Sequence, residues 1–145
     1  MKTCRMAALL AGCLAAAPAL AAEPKEKVIQ VPGFADFLAV DGSSVWATNK
    51  GRVERWSKRG KHAEVAMAHP CGAMTVAFGS LWVADCDERT VVRIDLKTAA
   101  KLATIATGIA NPKGELNVTA GAGSIFWRLC PAALTAHSDP KPKLR

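Results

Sequence analysis

The feature that most constrains this chain is a segment that occurs twice. Pro70-Cys-Gly72-Ala-Met74-Thr-Val76-Ala-Phe-Gly79 matches Pro112-Lys-Gly114-Glu-Leu116-Asn-Val118-Thr-Ala-Gly121, with Pro, Gly, an apolar residue, Val and a closing Gly at a constant offset of 42. A looser copy stands upstream at Phe37-Leu38-Ala-Val40-Asp-Gly42. A Gly-Ser element carrying a Trp follows each one: Gly42-Ser-Ser-Val-Trp46, Gly79-Ser-Leu-Trp82 and Gly123-Ser-Ile-Phe-Trp127, with Trp spacings of 36 and 45. A period near 40 built from short apolar runs is the period of a propeller blade.

The middle unit predicts four antiparallel strands. Residues 74–78 alternate and stop at the hairpin signal Gly79-Ser80, and 81–84 return. A polar loop leads to 91–95, and a turn at Leu96-Lys-Thr98 leads to 101–105. The preceding unit reads as strands at 38–40, 45–48, 52–56 and 63–67, and residues 27–31 read as the outer strand of an earlier blade. The recurring Trp is expected to fill the wedge between neighbouring blades. Gly42, Gly79 and either Gly121 or Gly123 are expected at positive φ in the turns.

The predicted fold is therefore all-β: four-stranded propeller-type blades over residues 23–127, about three of them, in an open arc. Closed propellers use four to eight blades. Residues 128–145 carry Pro131, Pro140 and Pro142 and no β-branched run, so they read as a divergent, poorly ordered tail. The chain reads as a truncated or frameshifted member of a longer family, or as a three-blade assembly completed by a second chain. Either way its end blades leave apolar faces and strand edges uncovered, which predicts self-association.

The N-terminus reads as an export signal over residues 1–22. Lys2 and Arg5 form a positive n-region, 6–20 is an Ala/Leu stretch, and Ala19-Leu-Ala21-Ala22 supplies small residues for cleavage. The stretch is too short and Ala-rich for a membrane span. This places the protein in the periplasm or outside the cell. The alternative is a lipoprotein, because Leu10-Ala-Gly-Cys13 resembles a lipobox. Beyond the leader stand Cys71, Cys86 and Cys130, with no zinc spacing. Cys71 enters the first strand of a blade and Cys86 leaves the second, so the hairpin between them brings both to one rim. A Cys71–Cys86 disulfide is predicted, with Cys130 the odd thiol.

The formal charge is +7, falling to +5 without Lys2 and Arg5. The densest basic run, Lys50 to Lys61, is read as a solvated strand face; no nucleic-acid motif accompanies it. An attraction to acidic polysaccharide or anionic lipid stays open. Any ligand site is expected on the rim where Asn49, His69, Cys71, Asp85 and Lys113 fall in converging loops.

These units resemble the repeats of the streptogramin B lyase (virginiamycin B lyase) family and related YVTN-type propellers. The likeness rests on Pro70-x-Gly72, Val76, Gly79-Ser-Leu-Trp82 and Val92-Arg-Ile-Asp95-x-Lys97-Thr98, and spans roughly residues 28–127. It implies a propeller fold and, for a lyase, opening of a cyclic ester by elimination with a magnesium ion held by His and Glu. A His often fills the middle of Pro-x-Gly in lyase repeats, whereas here Cys71 and Lys113 stand there. His69, Glu115, His62 and His137 are isolated, so no catalytic or metal-binding residue is carried over. Two functions follow. The first is an exported, non-catalytic scaffold for a small molecule or protein, with no cofactor. The alternative is a magnesium-assisted carbon–oxygen lyase.

Overall fold

A computed structural model describes residues 26–109 and 114–130. The described residues hold strands in three antiparallel sheets and no helix. Blade 1 is β1 (Leu38–Asp41), β2 (Ser44–Asn49), β3 (Arg52–Ser57) and β4 (Gly60–Ala66); blade 2 is β5 (Pro70–Ala77), β6 (Ser80–Asp85), β7 (Thr90–Asp95) and β8 (Lys101–Ala106). Blade 3 contributes β9 (Glu115–Gly121) and β10 (Ser124–Cys130). Within each blade the order in space is the order in sequence, and the sheets form an open array.

Turn chemistry sets the register. Ala77 pairs with Ser80 across Phe78-Gly79, whose φ values are 52° and 70°. Two positive φ values define the type I′ turn, whose twist matches that of its flanking strands. The β9–β10 hairpin repeats this at Ala122-Gly123, so Gly123 rather than Gly121 is the turn glycine.

Strand alternation then gives each blade two distinct faces. In blade 2, Met74, Val76, Leu81, Val83, Val92 and Ile94 face blade 1 and share a core with Ala39, Trp46, Val53, Val65 and Met67. The opposite face carries Trp82, Ala84 and Val91, which pack against Leu116 and Val118 of blade 3. Trp46 and Trp82 thus fill successive blade interfaces, as expected. Each is also paired in register with an arginine on the third strand: Arg55 lies 5.8 Å from the Trp46 ring centre and Arg93 lies 5.3 Å from that of Trp82. Such cation–π contacts hold the charged group over the wedge while its fork reaches polar partners.

Trp127 does not continue this series. By register, Ile125 takes the place of Leu81 and Phe126 the place of Trp82. Trp127 falls one residue later and therefore on the other face, toward blade 2, where it donates from Nε1 to Thr107 O at 3.3 Å. A single-residue slip in a strand always exchanges the faces. Phe126 is left 51% exposed.

Blades 2 and 3 meet most closely at a β-bulge. The β5–β6 register shifts between Cys71 and Thr75, and Gly72 there has φ +71°. A Cβ on Gly72 would stand 2.6 Å from Leu116 O, so only glycine allows β5 and β9 this approach. The adjacent Ala73 N–H donates to Asn117 Oδ1.

The outer face of blade 1 departs from the apolar pattern. Glu54 holds the register position that Val92 holds in blade 2, and it is fully buried. Its carboxylate accepts from Arg52 Nε at 2.7 Å, Trp56 Nε1 at 3.1 Å and Asn49 Nδ2 at 3.3 Å. Burial would raise the pKa of this carboxyl, but these three donors outweigh it and hold the group below its ordinary value. Leu38 and Val40 on the same face are 64% and 69% exposed.

Two expectations change. Residues 27–31 form no strand, and among the described residues no strand edge pairs with them. They belong to a strap that is tied to blade 1 through Pro32 O, which accepts from Asn49 Nδ2 and Arg52. The third copy also continues past Trp127, since β10 runs to Cys130. The proposed leader and residues 131–145 lie outside the described residues.

Candidate functional site

The rim formed by the ends of the second strands is held together by two side chains at equivalent positions. Asn49 ends β2 and Asp85 ends β6, each three residues past its Trp. Asn49 Oδ1 accepts from Phe34 N at 3.1 Å and Lys50 N at 2.9 Å, while its Nδ2 reaches Pro32 O at 2.8 Å. Asp85 accepts from Ala68 N at 2.9 Å, His69 N at 3.1 Å and Glu88 N at 3.3 Å. Both are buried, and both satisfy backbone donors of the segment that enters the neighbouring inner strand. The same role in consecutive blades marks them as parts of the repeat.

His69 is exposed beside them, with Nδ1 3.0 Å from Asp87 Oδ1. It lines a cleft of about 300 Å³ together with Asn49, Thr48, Asp36 and Phe34. Asp85 borders a separate depression with Glu88, Thr90 and Lys101. Lys113 lies outside the described residues. The rim thus brings Asn49 and His69 to one cleft and leaves Asp85 at another.

Cys71 and Cys86 are joined in a disulfide, with Cα atoms 5.9 Å apart. That is the usual spacing for such a bond. It ties the entry of β5 to the exit of β6 on this same rim.

A magnesium site of the lyase kind does not fit these residues. Asp85 is engaged by three backbone donors, Asn49 by the strap, and His69 pairs with a single exposed Asp. Among the described residues, no group of three His, Cys, Asp or Glu is arranged to hold a metal ion.

A further cleft lies elsewhere, between the β3–β4 turn of blade 1 and the β7–β8 turn of blade 2. It measures about 440 Å³. Arg55, Lys58, Arg59, His62 and Lys97 line it with the hydroxyls of Ser43, Ser44, Ser57 and Thr98, and no acidic residue does. Ser57 Oγ contacts His62 Nε2 at 2.5 Å and accepts from Arg59 N at 3.1 Å. Asp95 shapes the opposite wall by accepting from the N–H groups of Lys97 and Thr98 and from the Thr98 hydroxyl. Those bonds, led by the Thr98 backbone, keep the Asp95 carboxyl below its ordinary pKa. The sequence signal for this cleft was the basic run. Its counterpart Lys97, 38 residues beyond Arg59, is brought in only by blade stacking.

No protein-family description matches the sequence. No curated protein sequence matches it either. Among solved structures the chain is similar to virginiamycin B lyase from Staphylococcus aureus, with a TM-score of 0.54 and 16% identity over 71% of this chain and 37% of that one. A glutaminyl cyclase from Myxococcus xanthus gives a TM-score of 0.47 and 17% identity over 66% of this chain and 44% of that one. The chain spans less than half the length of either. At such identity the likeness to the lyase is one of fold: this is a propeller-like array of blades.

Proposed function

We propose that this chain is an exported, non-catalytic binding scaffold whose blades engage further blades, and that the partner is a second copy of the chain. The observation that carries this is the pair of open end faces. Leu38 and Val40 take the register places of Met74 and Val76, which are covered by blade 1, and Phe126 takes the place of Trp82, which is covered by blade 3. Among the described residues, the interface that occurs twice therefore has both of its halves exposed once more, at opposite ends. A head-to-tail contact between copies would repeat it, and such contacts close into rings or extend. Export is supported by the leader-like N-terminus and by a disulfide, which persists in oxidising compartments. Among the described residues, no helix is long and apolar enough to cross a membrane. The lyase reading gains no support from the rim, where the polar groups hold backbone.

Sedimentation velocity across a concentration series tests this. The expected result is reversible association that Val40→Lys and Phe126→Asp each abolish. Mixing the two variants should restore a dimer and nothing larger, because one keeps the Phe126 face and the other the Val40 face. A monomer at every concentration would sink the proposal.

A further inference from the structure

The geometry points to a second site, independent of the end faces: the cleft between the β3–β4 and β7–β8 turns binds a small polyanion through phosphate- or sulfate-type oxygens. Four observations converge on it. First, the cleft draws cations from two blades, Lys58 and Arg59 from one and Lys97 from the other. Like charges repel, so a fold that brings them together without a counter-ion leaves a positive potential focused in a concave site.

Second, the acids nearby are already engaged. Asp41 pairs with Arg55, and Asp95 is held inside its own turn by Lys97 and Thr98. Among the described residues, Lys58, Arg59 and Lys97 have no acidic partner within salt-bridge distance, whereas Lys61 and Arg52 of the same basic run do. Within the run, Arg52 and Lys61 are thus paired on the outer face and Arg55 is paired with Asp41, while Lys58 and Arg59 stand in the cleft without an acid.

Third, Arg55 carries a buried Nε with no hydrogen-bond partner, although its other two nitrogens bond Leu96 O and Asp41. A buried N–H without a partner is rare in folded proteins and calls for an explanation.

Fourth, the lining fits an oxyanion rather than an apolar molecule. Hydroxyls of Ser43 and Ser44 stand among the cations, and the only apolar side chains in the lining are those of Ala63 and Ala99. At about 440 Å³ the space exceeds a single phosphate, which favours a ligand with two or more charged groups. Tetrahedral oxyanions match Arg forks and Lys point charges together.

Isothermal titration with inorganic pyrophosphate at low and moderate ionic strength tests the site. Saturable one-site binding is expected, weakened about tenfold by Lys97→Ala and more by Lys58→Ala/Arg59→Ala, since a charge-assisted bond is worth about one decade. Lys50→Ala, an exposed cation outside the cleft, should bind as the parent does. Thermal melts confirm that the variants fold. Sedimentation with phosphatidylglycerol vesicles separates the sources of the oxyanion. Vesicle binding lost in the cleft variants assigns a lipid headgroup, and pyrophosphate binding without it assigns a free ligand. No saturable pyrophosphate binding, or equal weakening by Lys50→Ala, would overturn the site.

Discussion

Replacing Glu54 by Val puts into blade 1 the residue that blade 2 carries at the same register position, and the repeat alone would rate it harmless. The structure predicts otherwise. The half-buried Trp56 Nε1 would lose its acceptor and Asn49 Nδ2 would keep only Pro32 O, and each lost bond costs about 1 kcal/mol. Arg52, with 29% of its side chain exposed, can turn to water, so loss of its pairing adds little. The sum is about 2 kcal/mol, or roughly 10 °C in melting temperature for a domain of this size. Acidity supplies a second readout. Because the folded-state pKa of Glu54 is depressed from its ordinary 4.5, its contribution is present above that value and is lost as pH falls through the folded pKa. Wild-type and Glu54→Val melting curves should stand apart at pH 7 and converge as pH falls below the ordinary carboxylate range. A variant that melts with the wild type at pH 7, with the same acid profile, would refute the reasoning and make the network ornamental.

Cys71→Ser/Cys86→Ser should lower stability by about 3 kcal/mol in a urea titration, the value for a loop of this span, and reductant should mimic it. Gly72→Ala forces a Cβ onto Leu116 O at positive φ, so a loss of about 2–4 kcal/mol is expected, with faster amide exchange in β9. Asp85→Ala strips acceptors from three backbone N–H groups and should cost about 2 kcal/mol, whereas the exposed His69→Ala should stay within about 0.5 kcal/mol of the parent.

The blade was legible because its signals are local. Alternation at Met74 to Phe78, the Gly79-Ser80 turn and the period near 40 each act over a few residues and agree with one another. The disulfide was legible too, since hairpin geometry converts a separation along the chain into proximity. Trp127 was misplaced because one extra residue between Gly123 and the Trp exchanges faces while leaving the composition unchanged. Residues 27–31 look like a strand by pattern, but a strand needs a partner edge, which is a tertiary fact. Asn49 and Asp85 end the second strands of their blades. Their residue types do not tell whether an amide or carboxylate will meet a ligand or the nearest backbone N–H. The polyanion cleft could not be read from either turn alone, since its cations come from two blades.

The Cys71–Cys86 bond also makes the molecule mechanically uneven. Pulled from its two termini, an antiparallel blade gives way strand by strand, and β8 and β7 are free to peel. The segment closed by the disulfide spans 15 residues and cannot lengthen, so about 50 Å of contour stays hidden from the force until the bond is reduced. The inner hairpin of blade 2 would then behave as a fixed knot that passes load from blade 1 straight to β7, while β7, β8 and the sheets on either side act as the extensible parts.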